Sequence, residues 1–183
     1  MSTKVRATVE DLYRVPGDAK AELVSGEIVL MSPTGDLPNR AAGAIYISLR
    51  QHESKVENGR TYSDNAGFRV NLPHRESFSP DAAFHTGKPA GMKFLEGAPV
   101  FAVEVGSAGD YGRKAEEELV RKVADYFATG TLVVWDVDLL GEDVVKVYRA
   151  TEPTTPTAYG RGETAEAEPA VPGWTMPVDA LFD

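Results

Sequence analysis

The sequence predicts an α/β or α+β fold, in which a mixed β-sheet is flanked by helices. Two apolar segments, residues 100–105 and 131–135, have the composition of strands that are buried on both faces. Between them, residues 114–128 place apolar side chains at helical spacing and are followed by Gly130 as a stop signal. A helix that connects two buried strands is typical of a sheet covered by helices. The length of 183 residues suits a single domain, and we assign residues 1–183 to it.

The N-terminal third is predicted to contain a short helix, a hairpin and a longer helix. Thr8 has the residue type and position of a cap for the short helix. Residues 22–24 and 27–31 have the pattern of two strands joined by a tight glycine turn. Asn39 is expected to cap the longer helix over residues 40–56, because apolar side chains recur there at helical spacing.

The later segments outside the two buried strands are less regular. Residues 68–72 alternate between apolar and polar side chains, as in a half-buried strand. We expect a loop at residues 73–77, a short strand at residues 80–84 and a last clear strand at residues 144–148. The composition then shifts to Thr, Pro, Glu and Ala, which predicts an extended arm with weak pairing over residues 151–172.

The composition excludes several classes of protein. No apolar run approaches the roughly 18 residues of a membrane span, so no membrane association is expected. The cysteine count of 0 rules out disulfides and thiolate metal sites, which agrees with a cytoplasmic protein. The net charge of -9 argues against a nonspecific nucleic-acid binder, which would be basic. It does not exclude a nuclease, because acidic metal ligands add to the negative count.

Three ionisable residues interrupt segments that are otherwise apolar: Asp81, Glu104 and Lys122. Asp81 opens an apolar strand, Glu104 lies within one, and Lys122 lies at the margin of the apolar face of its helix. A lone buried charge costs several kcal/mol unless it is paired or bound to a metal. Two carboxylates and a lysine brought together suit a divalent cation and phosphodiester chemistry, with the carbonyl of Val105 as a further oxygen ligand.

Each of these residues also has an ordinary structural interpretation. Asp81 follows a proline and fits a turn. Glu104 could form a buried salt bridge, and Lys122 could be a surface lysine whose stem packs on the core. Glu22 and Glu27 flank the first hairpin, where each could contact a metal or water or could be a solvated strand residue.

A set of short segments, ordered along nearly the whole chain, points to one family. The segments are ELVSGE at 22–27, MSP at 31–33, PDAAF at 80–84, VEVGS at 103–107, KVADYFATG at 122–130, VWDVD at 134–138, PGW at 172–174 and LF at 181–182. Together they resemble a family of restriction endonucleases that is expanded in cyanobacteria and common in actinobacteria. That family lies within the PD-(D/E)XK nuclease superfamily.

The resemblance implies a restriction-endonuclease-like fold, binding of Mg²⁺ or Mn²⁺, and cleavage of DNA. It implies that Asp81 and Glu104 are metal ligands, that Lys122 is the catalytic lysine, and that Glu22 is an additional acid. The chain departs from the superfamily pattern at Gly106, where a lysine would stand two residues after the second acid.

Two functional hypotheses follow, a Mg²⁺-dependent nuclease and a nuclease-like domain that binds protein or nucleic acid without cleaving it. Gly106 and the net charge of -9 favour the second. A third, less favoured interpretation is a small β-rich ligand-binding domain with a structural pair of Glu104 and Lys122.

A nuclease that cuts two strands needs two sites, so we expect a homodimer. The candidate phosphate contacts, each of which also fits a solvated surface charge, are Arg40, Arg50, Arg69, Arg75 and Lys114.

Overall fold

The computed structural model describes residues 6–16 and 19–183. The α-helices within these ranges are α1 (Val9–Leu12), α2 (Asp36–His52) and α3 (Arg113–Ala128). The strands are β1 (Ala21–Val24), β2 (Glu27–Leu30), β3 (Arg60–Ser63), β4 (Phe68–Leu72), β5 (Arg75–Phe78), β6 (Ala82–His85), β7 (Leu95–Glu96), β8 (Phe101–Val105), β9 (Val133–Val137), β10 (Val145–Arg149), β11 (Glu152–Tyr159), β12 (Thr164–Glu166) and β13 (Thr175–Pro177). Short 3₁₀ helices follow α2 and β13.

A six-stranded mixed sheet forms the centre of the fold, in the order β11-β10-β9-β8-β6-β3. β8 and β9 run parallel, and α3 is the crossover between them. The other neighbouring strands of this sheet are antiparallel. The register of β8 and β9 sets Glu104 beside Asp136 on the same face. The predicted mixed sheet with flanking helices is therefore confirmed.

A second sheet of five strands has the order β2-β1-β5-β4-β7. β1 and β2 form the predicted N-terminal hairpin, in which Ser25 and Gly26 both have positive φ, at 54° and 75°. A two-residue turn of this kind matches the right-handed twist of the strands it connects. The hydroxyl of Ser77 accepts a hydrogen bond from the amide of Leu23 at 2.8 Å and ties β1 to β5.

Two apolar layers cover the two faces of the central sheet. One lies under α2 and the C-terminal segment, where Trp135, Trp174 and Phe101 pack with ring centroids 4.9 to 5.6 Å apart. The other lies between α3 and the five-stranded sheet, where Phe78 stacks on Tyr126 at 4.0 Å. The second layer contains the ionisable residues of the candidate site.

Two predicted element boundaries are wrong. Residues 73–77 do not form a loop, because Arg75–Phe78 is strand β5 and only the preceding two residues turn the chain. Asn39 does not cap the second helix, which begins at Asp36 after Gly35. Pro38 is tolerated in that first turn, since the first amides of a helix lack intrahelical acceptors.

The C-terminal segment contributes to the core. β11 is extended and pairs with the edge of β10, and β12 pairs with β13. Ala165 in β12 and Ala167 and Val171 after it are fully buried. The indole of Trp135 donates a hydrogen bond to the carbonyl of Glu166 at 2.9 Å. Small apolar side chains thus allow a segment rich in polar residues to pack closely on the sheet.

None of the helices in residues 6–16 and 19–183 has both the length and the apolar content that crossing a membrane requires.

Candidate active site

Asp81 immediately precedes β6, and Glu104 lies on the neighbouring antiparallel strand β8. Ala82 pairs with Val103, so the same register sets Asp81 opposite Glu104. The amide of Asp81 donates to the carbonyl of Val103 at 2.9 Å, and the amide of Val105 donates to Oδ2 of Asp81 at 2.7 Å. The Asp81 carboxylate is therefore fixed against the backbone of β8, directly beside the strand that carries Glu104.

Lys122 joins two acids from different sheets. Its Nζ lies 2.9 Å from Oε2 of Glu104 on β8 and 3.0 Å from Oε1 of Glu22 on β1. The other oxygen of Glu104 accepts a hydrogen bond from the hydroxyl of Tyr126 at 2.6 Å. Lys122 and Tyr126 are four residues apart on α3, so both project from one helix face onto the same carboxylate.

Glu22 is held on both oxygens by buried donors. Oε1 also accepts the amide of Ser79 at 2.9 Å, and Oε2 lies 2.6 Å from a guanidinium nitrogen of Arg75. Arg75 extends the network, because its Nε lies 2.8 Å from Oδ2 of Asp125. Oδ1 of Asp125 lies 2.7 Å from Nε2 of the exposed His74. A continuous chain of polar contacts thus runs from the surface to the site.

The electrostatics of the site follow from burial and charge pairing. Burial, followed by the charges of Asp81 and Glu22, raises the pKa of Glu104 despite the attraction of Lys122. Burial acts against ionisation of Glu22 too, but Lys122 and Arg75 outweigh it and lower the Glu22 pKa. Burial disfavours the Lys122 cation, yet Glu104 and Glu22 raise its pKa, so Lys122 is protonated at neutral pH.

A second lysine lies on the other side of Asp81. Nζ of Lys20 is 2.6 Å from Oδ1 of Asp81 and 2.7 Å from Oδ1 of Asp64, which follows β3. Burial acts to lower the Lys20 pKa, but Asp81 and Asp64 outweigh it and raise the pKa. The carboxylates of the site are thus faced by cationic side chains on both sides.

The donor set fits a hard divalent cation held mainly by oxygen. Within the part of the chain that the structure describes, no cluster of three or more His, Cys, Asp or Glu side chains is arranged as a metal site. Mg²⁺ commonly takes one or two carboxylates and completes its octahedron with water and substrate oxygens. Asp81 and Glu104 provide such a pair. The carbonyl of Val105, the last residue of β8, is a further candidate oxygen. Burial, followed by the charges of Asp81 and Glu22, raises the Glu104 pKa, and a bound cation would offset both effects.

Gly106 follows Glu104 by two residues and comes directly after the last residue of β8. Its φ is outside the left-handed region, and an added Cβ would meet the carbonyl oxygen of Val137 at 3.4 Å and the hydroxyl of Tyr111 at 3.6 Å. The backbone therefore does not require glycine there. Lys122 supplies an ammonium to the same carboxylate from α3 instead.

The candidate phosphate contacts are dispersed. The prediction that Arg75 contacts phosphate is wrong. Arg75 is buried and paired with Glu22 and Asp125, so a phosphate cannot reach it. The other four candidates are exposed, and each contacts a partner. These pairs are Arg40 with the carbonyl of Asp183, Arg50 with Glu53, Arg69 with Glu10, and Lys114 with Glu118. These four candidates lie on three different elements, α2, β4 and α3.

Sequence reasoning missed Lys20, Asp64, Tyr126 and Asp125 as parts of the site. Lys20 and Asp81 are 61 positions apart in the chain, and no local pattern links them. Tyr126 had a signal, because it lies one helical turn after Lys122 and faces the same strand. Asp125 is a carboxylate in a mostly apolar stretch, the same signal that identified Glu104.

A known family and a solved structure resemble this chain. Residues 8–179 match the model of the Uma2 family, described as "Putative restriction endonuclease", and the chain belongs to that family. A solved structure from Anabaena variabilis, described as "a putative nuclease belonging to DUF820", has a similar fold with a TM-score of 0.73. The two chains are 15% identical over 96% of this chain and 97% of the other. A comparison with curated proteins finds no match. The expected family is confirmed, and it supports a nuclease.

Proposed function

We propose that this protein is a Mg²⁺- or Mn²⁺-dependent endonuclease that hydrolyses phosphodiester bonds, with DNA as its substrate. The observation that carries the proposal is the position of Lys122, which contacts Glu104 at 2.9 Å next to the strand that holds Asp81. Two carboxylates on adjacent strands with a lysine over one of them form an arrangement suited to phosphodiester hydrolysis.

The residues divide the chemistry between them. A bound divalent cation lowers the pKa of a coordinated water and offsets charge on the scissile phosphate. Asp81 and Glu104 are the side-chain ligands of the proposal, with the Val105 carbonyl as a third oxygen. The Lys122 ammonium orients the attacking water or stabilises negative charge that develops on the phosphate. Glu22 holds Lys122 in place from the neighbouring sheet.

The proposal also covers the oligomeric state, the DNA affinity and the localisation of the enzyme. A homodimer would supply one site to each strand of a duplex, and a monomeric mass by light scattering would exclude it. The net charge of -9 makes DNA binding depend on local contacts and on the metal, so we expect weak affinity at moderate salt. The cysteine count of 0 is compatible with a cytoplasmic protein.

The test measures thermal stability with and without excess Mn²⁺ or Mg²⁺, in the parent chain and in Glu104→Gln and Glu104→Ala. A cation that binds only the folded state stabilises it by about 2.7 kcal/mol at 100 times its dissociation constant. We expect this gain in the parent and its loss in both variants. Glu118→Gln, which removes an exposed acid on α3, is the matched control and should keep the gain. Metal-dependent plasmid cleavage by the parent, and not by the two Glu104 variants, is the further result that we expect.

A second candidate function is a nuclease-like interaction domain without cleavage activity. The observation in its favour is that both oxygens of Glu104 already have donors, from Lys122 and Tyr126. This alternative predicts no metal-dependent stabilisation in the parent chain and no cleavage of plasmid or single-stranded DNA.

A further inference from the structure

Lys20 holds the one oxygen of Asp81 that the backbone leaves open. Oδ2 of Asp81 accepts the amide of Val105 at 2.7 Å, while Oδ1 lies 2.6 Å from Nζ of Lys20. Lys20 precedes β1 in the chain, and 17% of its side chain is exposed. It reaches the site from the position directly before β1, a strand of the five-stranded sheet.

Asp64 gives the same ammonium a second partner. Its Oδ1 lies 2.7 Å from Nζ of Lys20 and also accepts the amide of Asn65 at 2.7 Å, which orients the carboxylate. Asp64 is 38% exposed, whereas Asp81 is 19% exposed. Lys20 therefore lies between an inner carboxylate at the site and an outer carboxylate near the surface.

We propose that Lys20 competes with a divalent cation for Asp81 and that Asp64 retains the ammonium when the cation binds. This inference rests on the proposed function, because it takes Asp81 as a metal ligand. An ammonium at 2.6 Å from Oδ1 occupies the region a metal at that oxygen would use, and it repels a second cation there. Asp64 lowers the cost of the exchange, because Lys20 moves between carboxylates and is not released unpaired.

The inference makes opposite predictions for two substitutions. Lys20→Gln keeps a polar side chain beside Asp81 but removes the charge, so we expect Mn²⁺ to bind about tenfold more tightly. Asp64→Asn removes the alternative partner and leaves Lys20 with Asp81 alone, so we expect Mn²⁺ to bind several-fold more weakly. In the double variant the effect of Asp64→Asn should largely disappear, since it acts through Lys20.

Mn²⁺ binding to the full chain is measured by isothermal titration calorimetry, with Lys20→Gln, Lys20→Met, Asp64→Asn and the double variant. Lys88→Met is the matched control, because it removes one positive charge from an exposed lysine in the loop after β6. Its dissociation constant should stay within about twofold of the parent value. Thermal melting without metal shows which variants are folded, and Lys20→Gln and Lys20→Met provide two routes to the same charge removal.

The results separate this inference from the proposed function. Tighter binding in the Lys20 variants, abolished by adding Glu104→Ala, supports it. It is overturned if the parent binds Mn²⁺ and the folded Lys20 variants bind with the same affinity as Lys88→Met, or more weakly. That outcome leaves the proposed metal site intact. Absence of Mn²⁺ binding in the parent and in every Lys20 variant overturns both.

Discussion

The hydroxyl of Tyr126 donates a hydrogen bond to Oε1 of Glu104 at 2.6 Å, while its ring stacks on Phe78 at a centroid separation of 4.0 Å. Tyr126 is fully buried, and burial, followed by the charge of Glu104, raises its pKa well above the ordinary value. The phenol therefore remains a donor at neutral pH. One residue of α3 thus fixes the orientation of the central carboxylate and also packs the second apolar layer.

Tyr126→Phe is expected to lower the free energy of unfolding by about 1 to 3 kcal/mol at neutral pH. The ring can keep its stacking on Phe78, so the loss measures the hydrogen bond to a buried carboxylate. Urea denaturation followed by circular dichroism gives the value. Tyr46→Phe on α2 is the control, because the Tyr46 hydroxyl has no hydrogen-bond partner in the described residues, and it should change stability by less than about 0.5 kcal/mol.

Lys122→Met is expected to destabilise the fold by about 3 to 5 kcal/mol, because it leaves Glu104 and Glu22 buried without their common cation. Adding Glu104→Gln removes the carboxylate that Lys122→Met leaves without its ion pair, whereas Glu22 keeps its contact with Arg75. The double variant should therefore recover at least about 1 kcal/mol relative to Lys122→Met. Additive losses in chemical denaturation would contradict a shared role for Lys122.

Asp136 makes stability depend on pH. It lies beside Glu104 in the register of β8 and β9, and burial, opposed by Lys146 and reinforced by Asp138, raises its pKa to about 6. Because the folded state holds the proton more tightly than the unfolded state, the contribution of Asp136 to stability falls as pH rises from about 4 to 6.

Asp136→Asn removes that penalty. We expect the variant to be more stable than the parent by about 2 kcal/mol at pH 7.5, with no gain near pH 4. Denaturation across this pH range measures the difference. Asp143→Asn is the control, because it makes the same substitution at an exposed position before β10. It should show no such trend. A gain that is constant with pH would assign the effect to a cause other than ionisation.

Gly106→Lys tests whether a lysine directly after β8 can replace Lys122. Side chains two residues apart on a strand share a face, so the new ammonium would lie on the face of Glu104. The contacts of 3.4 Å and 3.6 Å at an added Cβ allow the substitution without a change of fold. In the Lys122→Met background it should restore at least about 1 kcal/mol of stability and part of any metal-dependent cleavage. No recovery of either quantity would show that the α3 position is required.

The central sheet and α3 were predictable because apolar runs and helical spacing are local properties of the sequence. Asp81, Glu104 and Lys122 were found because charges in such runs are costly and therefore conspicuous. β5 was missed because its charged Arg75 looks solvated until Glu22 and Asp125, 53 and 50 positions away, are placed around it. Lys20 was missed for the same reason, since only the packing of two sheets brings it to Asp81.

The charged residues of the candidate site come from two sheets, so the N-terminal hairpin determines which of them are paired. β1 supplies Glu22, and the residue before it supplies Lys20, whereas Asp81, Glu104 and Lys122 come from the central sheet and α3. A molecule whose hairpin has detached by local unfolding retains the central acids and their lysine, but Lys122 has lost one of its two counterions and Asp81 has lost its ammonium. Proteolysis or hydrogen exchange within β1 and β2 therefore reports how often Lys122 and Asp81 lose these partners.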